Sequence, residues 1–173
     1  SSGNYVSNLV GAVSGASPAL ETFEPVFHQD LNGDGVIGLP ATVIEAFGST
    51  SLTAVGNNFF LYTGGAGPSL KYTGTAVVAG QFGGWTPIGA EQTASGYDVA
   101  WKMIGADQYT VWSTDSSGNY VSSLVGVVSG SSPALQALEP VLHQDLNGDG
   151  VIGVPQASAT VGLAWANSHL ALI

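Results

Sequence analysis

The stretch SSGNYVSNLVGAVSGASPALETFEPVFHQDLNGDGVIG at 1–38 returns as SSGNYVSSLVGVVSGSSPALQALEPVLHQDLNGDGVIG at 116–153, an offset of 115 positions with seven differences. Self-similarity on this scale means that one structural unit is used more than once. Any fold assigned to one copy must therefore suit the other. A unit of 115 residues divides the chain into the C-terminal part of a preceding repeat at 1–38, one complete unit at 39–153 and a tail or cap at 154–173. The first copy opens without the strands that precede the second. The expectation is that the native polypeptide continues upstream, or that another molecule donates those strands.

The 173 residues hold 12 Asp and Glu against 2 Lys and no Arg, a formal charge of −10. Phosphate backbones are bound by clustered Lys and Arg that release counterions, so no nucleic acid partner is expected, nor an anionic membrane surface. Hydrophobic residues reach 45% and mean hydropathy is +0.28, the reverse of a disordered composition. No apolar run approaches the roughly 20 residues of a membrane span. Without cysteine, disulfides and thiolate metal sites are closed to the chain. Cohesion is left to packing and to hard cations held by oxygen.

Tyr97, Val99, Trp101 and Met103 alternate with Asp98, Ala100 and Lys102, the period of a half-buried strand. Residues 107–113 continue the pattern, and 115–118 read as a Gly-containing hairpin loop into a strand at 119–128. Further strands are expected at 57–62, 69–78 and 85–92. The fold class is mainly β, a β-rich α+β arrangement: an antiparallel meander or sandwich-like sheet of about five to seven strands, with one short helix per repeat. Each helix starts at Ser17-Pro18 or Ser132-Pro133, an N-cap followed by Pro at the first helical position. Leu20, Phe23, Phe27 and Leu31, matched by Leu135, Leu138, Leu142 and Leu146, form an apolar stripe to pack on the sheet. Pro25 and Pro140 predict a kink or restart two turns in.

Each helix leads into D-L-N-G-D-G-V-I-G. Asp30, Asn32 and Asp34, and in the second copy Asp145, Asn147 and Asp149, place oxygen ligands at positions 1, 3 and 5 of an EF-hand-like loop, with Gly at 6. The carbonyls of Val36 and Val151 add a ligand at position 7. Alternate side chains of a tight loop converge on one centre, which suits Ca²⁺ with its six to eight oxygens better than Mg²⁺. Two calcium ions, one per loop, are the expected cofactors. The bidentate Glu of position 12 is replaced by Ala41 and Gln156, so affinity in the range of about 0.1–1 mM is expected unless a remote carboxylate completes the site. Glu24 and Glu139 are candidates for that role. The alternative is a solvated, Asx-rich turn without an ion.

His28 and His143 precede the loops by two residues. With three His and no Cys they read as helix-end residues near the last carbonyls rather than as transition-metal ligands. Trp85, Trp101, Trp112 and Trp165 fit core packing better than an exposed sugar platform. Glu45, Glu91, Asp98, Asp107 and Asp115 show no acid–base spacing, and no nucleophile motif is present, so no enzyme activity is expected.

The combination G-Y-D-V-A-W-K, Q-Y-T-V-W-S-T-D-S-S-G-N-Y and H-Q-D-L-N-G-D-G resembles the tryptophan-rich Synechocystis species C-terminal domain family over about residues 1–153. The resemblance implies tandem repeats in large secreted or surface bacterial proteins, beside RTX-type calcium repeats, adhesin modules or hydrolase domains. The expected role is a non-enzymatic, calcium-binding structural module, secreted or at the cell surface, serving adhesion, matrix or spacing. Its expected partners are neighbouring repeats or other copies of itself, with glycans as a further class. The alternatives are a carbohydrate-binding module, an accessory domain of a secreted hydrolase and a self-assembling extracellular filament subunit. The apolar end at 170–173 would suit a type I secretion signal.

Overall fold

The computed structural model describes residues 3–15 and 17–156. Most of the predicted tail, with Trp165 and the apolar end at 170–173, lies outside the described residues. In chain order the elements are α1 (Pro18–Glu21), α2 (Glu24–Phe27), β1 (Ala41–Glu45), β2 (Thr50–Val55), β3 (Asn58–Thr63), β4 (Lys71–Tyr72), β5 (Thr75–Ala76), β6 (Trp85–Gln92), β7 (Gly96–Met103), β8 (Tyr109–Asp115), β9 (Tyr120–Val128), α3 (Pro133–Gln136) and α4 (Glu139–Leu142). Strands β1–β3 form one antiparallel sheet, β4 and β5 a two-stranded ribbon, and β6–β9 a meander in sequential order. The fold is thus mainly β, in three sheets rather than a single meander.

The expected helices are each broken into two single turns. Pro25 and Pro140 stand in the first turns of α2 and α4, where a missing N–H costs nothing, so the chain restarts at each proline. Ser17 and Ser132 hold the extended backbone of an N-cap, but neither side chain caps the helix. The strand expected at 69–78 is also divided, since Thr73 (φ 50°) and Gly74 (φ 79°) turn the chain between β4 and β5. Strands β1 and β2 were not anticipated; β1 carries four exposed residues followed by buried Glu45 and so lacks an alternating pattern.

Strand β7 is buried on both faces rather than half-buried. Tyr97, Val99 and Trp101 enter one core with Leu52, Phe59, Leu61, Leu70, Val77 and Ala90, under the β1–β3 sheet and the β4–β5 ribbon. Ala100 enters a second core with Tyr109, Val111, Val125, Leu135, Leu142 and Leu146, under α3, α4 and the loop that follows. Three layers result: sheet, sheet and short helices. Pro87 sits at a bulge of β6, an edge strand of the β6–β9 sheet, where its missing N–H is tolerated. Gly89 lets the end of α4 approach, because a Cβ there would stand 2.3 Å from the Gln144 Oε1.

The two copies of the repeated segment meet different surroundings. Leu135, Leu142 and Leu146 are buried against the sheet, whereas Phe27 is 61% exposed and Leu31 37% exposed. Tyr5, Val6 and Leu9 are likewise open, while Tyr120–Val128 pair with β8 as β9. A large-to-small change in a packed core removes transfer energy and leaves a cavity. Leu142→Ala is therefore expected to destabilise by about 2–5 kcal/mol. The equivalent Phe27→Ala should stay within about 0.5 kcal/mol, as exposed substitutions do. Urea unfolding of the two variants measures the difference, and equal effects would contradict the unequal packing of the copies.

Candidate functional site

In the first loop, the Asp30 Oδ1 accepts the Gly33 N–H (2.6 Å) and its Oδ2 the Gly35 N–H (2.9 Å). The Asn32 Oδ1 accepts the Asp34 N–H, and the Asp34 Oδ1 the Val36 N–H. The second loop repeats this: Asp145 accepts from Gly148 and Gly150, Asn147 from Asp149, and Asp149 from Val151. Each side chain closes a small ring with the backbone two to five residues on, which winds the loop tightly and turns the carboxylate and amide oxygens towards it. Gly35 (φ 88°) and Gly150 (φ 86°) take the left-handed conformation that this winding requires.

The predicted ligand positions are therefore brought together in two separate loops with the same internal bonding. These N–H donors favour the charged form of the acids they bond. The Gly35 N–H, ahead of the other loop N–H groups, holds the Asp30 carboxyl below its ordinary value. The Asn147 side-chain amide, and after it the Val151 N–H, does the same for Asp149. Among the described residues, no three His, Cys, Asp or Glu side chains already stand together at metal-binding spacing. The donor set each loop offers is two carboxylates, one amide and a main-chain carbonyl, which is the chemistry of a hard cation rather than a transition metal.

Glu24 and Glu139 do something the spacing did not reveal. Both are fully buried, and each clamps the two ends of its loop. Glu24 accepts the Leu31 N–H at 3.0 Å on one oxygen and the Gly38 N–H at 2.8 Å on the other. Glu139 does the same with Leu146 and Gly153, at 3.0 and 2.9 Å. Three further residues border the loops and were not foreseen there. The Gln136 Nε2 donates to the Asp149 Oδ2 at 3.0 Å, and its counterpart Glu21 lines the cavity beside Asn32 and Asp34. Asp107, from the β7–β8 turn, accepts the Gly130 N–H while Gly130 accepts from the Asn147 Nδ2.

His28 and His143 end α2 and α4 in the left-handed conformation (both φ 53°), their backbone N–H groups bonded to the carbonyls of Glu24 and Glu139 one turn back. The His143 imidazole lies 3.7 Å from Glu91 rather than against the helix carbonyls. Of the aromatic residues, Trp101 is 1% exposed, and Trp85 and Trp112 are half-buried against the same core. Trp101 and Trp112 stand 4.5 Å apart at 45°, with Phe82 edge-on to both. Tilted rings in mutual contact form a packed cluster rather than a flat platform.

Replacing Glu139 by Gln puts an amide against an N–H and leaves a buried donor without an acceptor. The cost is expected at about 1–3 kcal/mol, measurable by urea unfolding in the absence of calcium; an unchanged midpoint would show that the clamp carries no stability.

Residues 50–153 match the family described as the tryptophan-rich Synechocystis species C-terminal domain. The match takes in β2 through β9, the α3–α4 pair and the second loop. No curated protein and no solved structure matches the chain. The matched span covers more than half of the 173 residues, and the chain belongs to the tryptophan-rich Synechocystis species C-terminal domain family.

Proposed function

We propose that this chain is a non-enzymatic structural repeat module, stabilised by calcium at two loops, of a large extracellular or cell-surface bacterial protein, with a role in adhesion, matrix or spacing. The observation that supports it best is the repetition of one loop, with the same hydrogen bonds from the same residue types, at 30–38 and 145–153. Asp30, Asn32, Asp34 and the Val36 carbonyl are the proposed ligands in the first loop. Asp145, Asn147, Asp149 and the Val151 carbonyl take those places in the second. Glu24 and Glu139 hold the loops from behind rather than ligating. The neighbours proposed for the module are other repeats, which would cover in the first copy the apolar face that β8 and β7 cover in the second.

Calcium acts on such a module by linkage. An ion that binds only the folded loop stabilises by RT ln(1 + [L]/Kd), so millimolar calcium over a Kd of about 0.1 mM contributes about 1.4 kcal/mol per site. For a chain of this size that is a rise in Tm of roughly 3–6 °C per site. Calorimetry with and without a chelator measures it, and an unchanged Tm would refute the ion.

Asp30 and Asp149 have folded pKa values below the ordinary one, so what their ionised forms contribute is present above the unfolded value and lost as the pH falls through the folded one. Protons then compete with calcium only in acid. The calcium-dependent rise in Tm is expected to be the same at pH values of about 8 and about 5, and to be lost only as the pH falls below the ordinary carboxylate range of about 4. Loss already near neutrality would point to histidine ligands instead.

A further inference from the structure

Strand β9 is an edge of the β6–β9 sheet, and it meets β8 irregularly. Tyr109, Val111, Trp112, Ser113 and Thr114 pair with Val128, Val125, Ser123, Ser122 and Tyr120. Strand β9 therefore carries an extra residue at three places: Val121, Leu124 and the pair Gly126 and Val127, which stands opposite Thr110 alone. A bulge gives up regular ladder bonds and re-aims a side chain, so three in one strand are a costly feature to keep. Here they bring a row of apolar side chains to the surface at intervals of three, with Val121 62%, Leu124 47% and Val127 61% exposed. Gly126 and Val127 also border, with Phe82, Trp85, Trp112 and Ser123, a cavity of about 290 Å³ that no charged side chain lines. A Cβ on Gly126 would meet nothing within 4 Å, so this part of the strand is open. Single exposed apolar residues are ordinary, but a row of them beside an apolar hollow marks a contact surface.

We infer that this edge of β9 is the surface through which two copies of the chain associate, the apolar row of each lying against the aromatic cavity of the other. Two observations select a second copy as the occupant. Chains of charge −10 repel one another unless they meet on a neutral face, and residues 116–138 hold no charged side chain. The row and the cavity also share one strand edge, with Val127 in both, so a two-fold rotation brings each row to the other cavity. Isologous pairing of that kind is the commonest form of self-association. The entering Val or Leu side chain meets Phe82, Trp85 and Trp112, the aromatic composition that interface cores favour. This surface is separate from the first-copy face assigned above to neighbouring repeats, and it does not depend on calcium in the loops.

Sedimentation equilibrium of the full chain tests this. The wild-type chain is expected at the mass of two 17.4 kDa chains. Leu124→Lys and Val127→Lys, which place a charge in the apolar row, should each halve that mass, with near-ultraviolet circular dichroism of the tryptophan cluster showing that the fold is kept. Because the chain has no cysteine, single cysteines report which surfaces adjoin. A short bis-maleimide is expected to join two copies of Leu124→Cys but not of Val43→Cys, which is 60% exposed on β1, nor of Leu9→Cys in the first copy. A wild-type chain that stays at single mass at about 0.1 mM overturns the inference. So does a dimer that survives both lysine substitutions, or one that is joined through Val43→Cys or Leu9→Cys in place of Leu124→Cys.

Discussion

The structure is governed by a shortage of bases. Twelve acids face two lysines and no arginine, so most carboxylates must do without an ion pair to a long cationic side chain. The remaining partners are N–H and O–H groups, and among the described residues four of the five buried glutamates bond to them. Glu24 and Glu139 each take two loop N–H groups. Glu45 takes the N–H groups of Phe47 and Ala90, and Glu91 takes the Ser49 N–H and hydroxyl. Charge-assisted bonds of this kind are stronger than neutral ones and are lost only at the cost of stranding the charge.

Because the donors are main-chain groups, each carboxylate also decides where a piece of chain lies. Glu45 and Glu91 tie the β1–β2 turn to β6 and thereby join the first sheet to the meander. Burial is not fully offset there: it raises the pKa of Glu45 despite the N–H groups of Phe47 and Ala90, which act in the opposite sense. Asp98, on the Ala100 face of β7, is raised by burial alone. The loops behave oppositely. Their acids lie at the surface, where the Gly35 N–H lowers Asp30 and the Asn147 amide lowers Asp149, outweighing the desolvation that opposes them.

The repeat separates what the local sequence determines from what packing adds. Asp30 to Gly38 forms the same hydrogen bonds as Asp145 to Gly153, although α1 and α2 lack the sheet that covers α3 and α4. Spacing of Asp, Asn and Gly within nine residues was therefore enough to foresee a tight turn of the same form in both copies. The alternation in β7 and the turn at Asp115–Gly118 were readable for the same reason, as local patterns. The clamp by Glu24 and Glu139 was not, because it needs the loop to fold back on the helix that precedes it. The two-sided burial of β7 was hidden as well: Asp98 and Lys102 imitate a solvent face, and the layer that covers Ala100 comes from residues more than thirty positions away. Strand β1 has no alternating pattern because its pairing with β2, rather than a buried face, holds it in place.

Glu21 stands apart from this scheme, since it is the buried glutamate to which no donor is bonded among the described residues. In a chain with so few bases, the two loops are where the proposed calcium would supply positive charge that the side chains do not. Two divalent ions would add four positive charges to −10 and leave −6. That change would fall on the loops and not on the glutamates already satisfied by N–H groups. On this reading the buried glutamates set the chain path without an ion, and calcium acts afterwards on loops that are already formed. The proposed module would then have a fold that is intrinsic and a stability that follows the calcium around it.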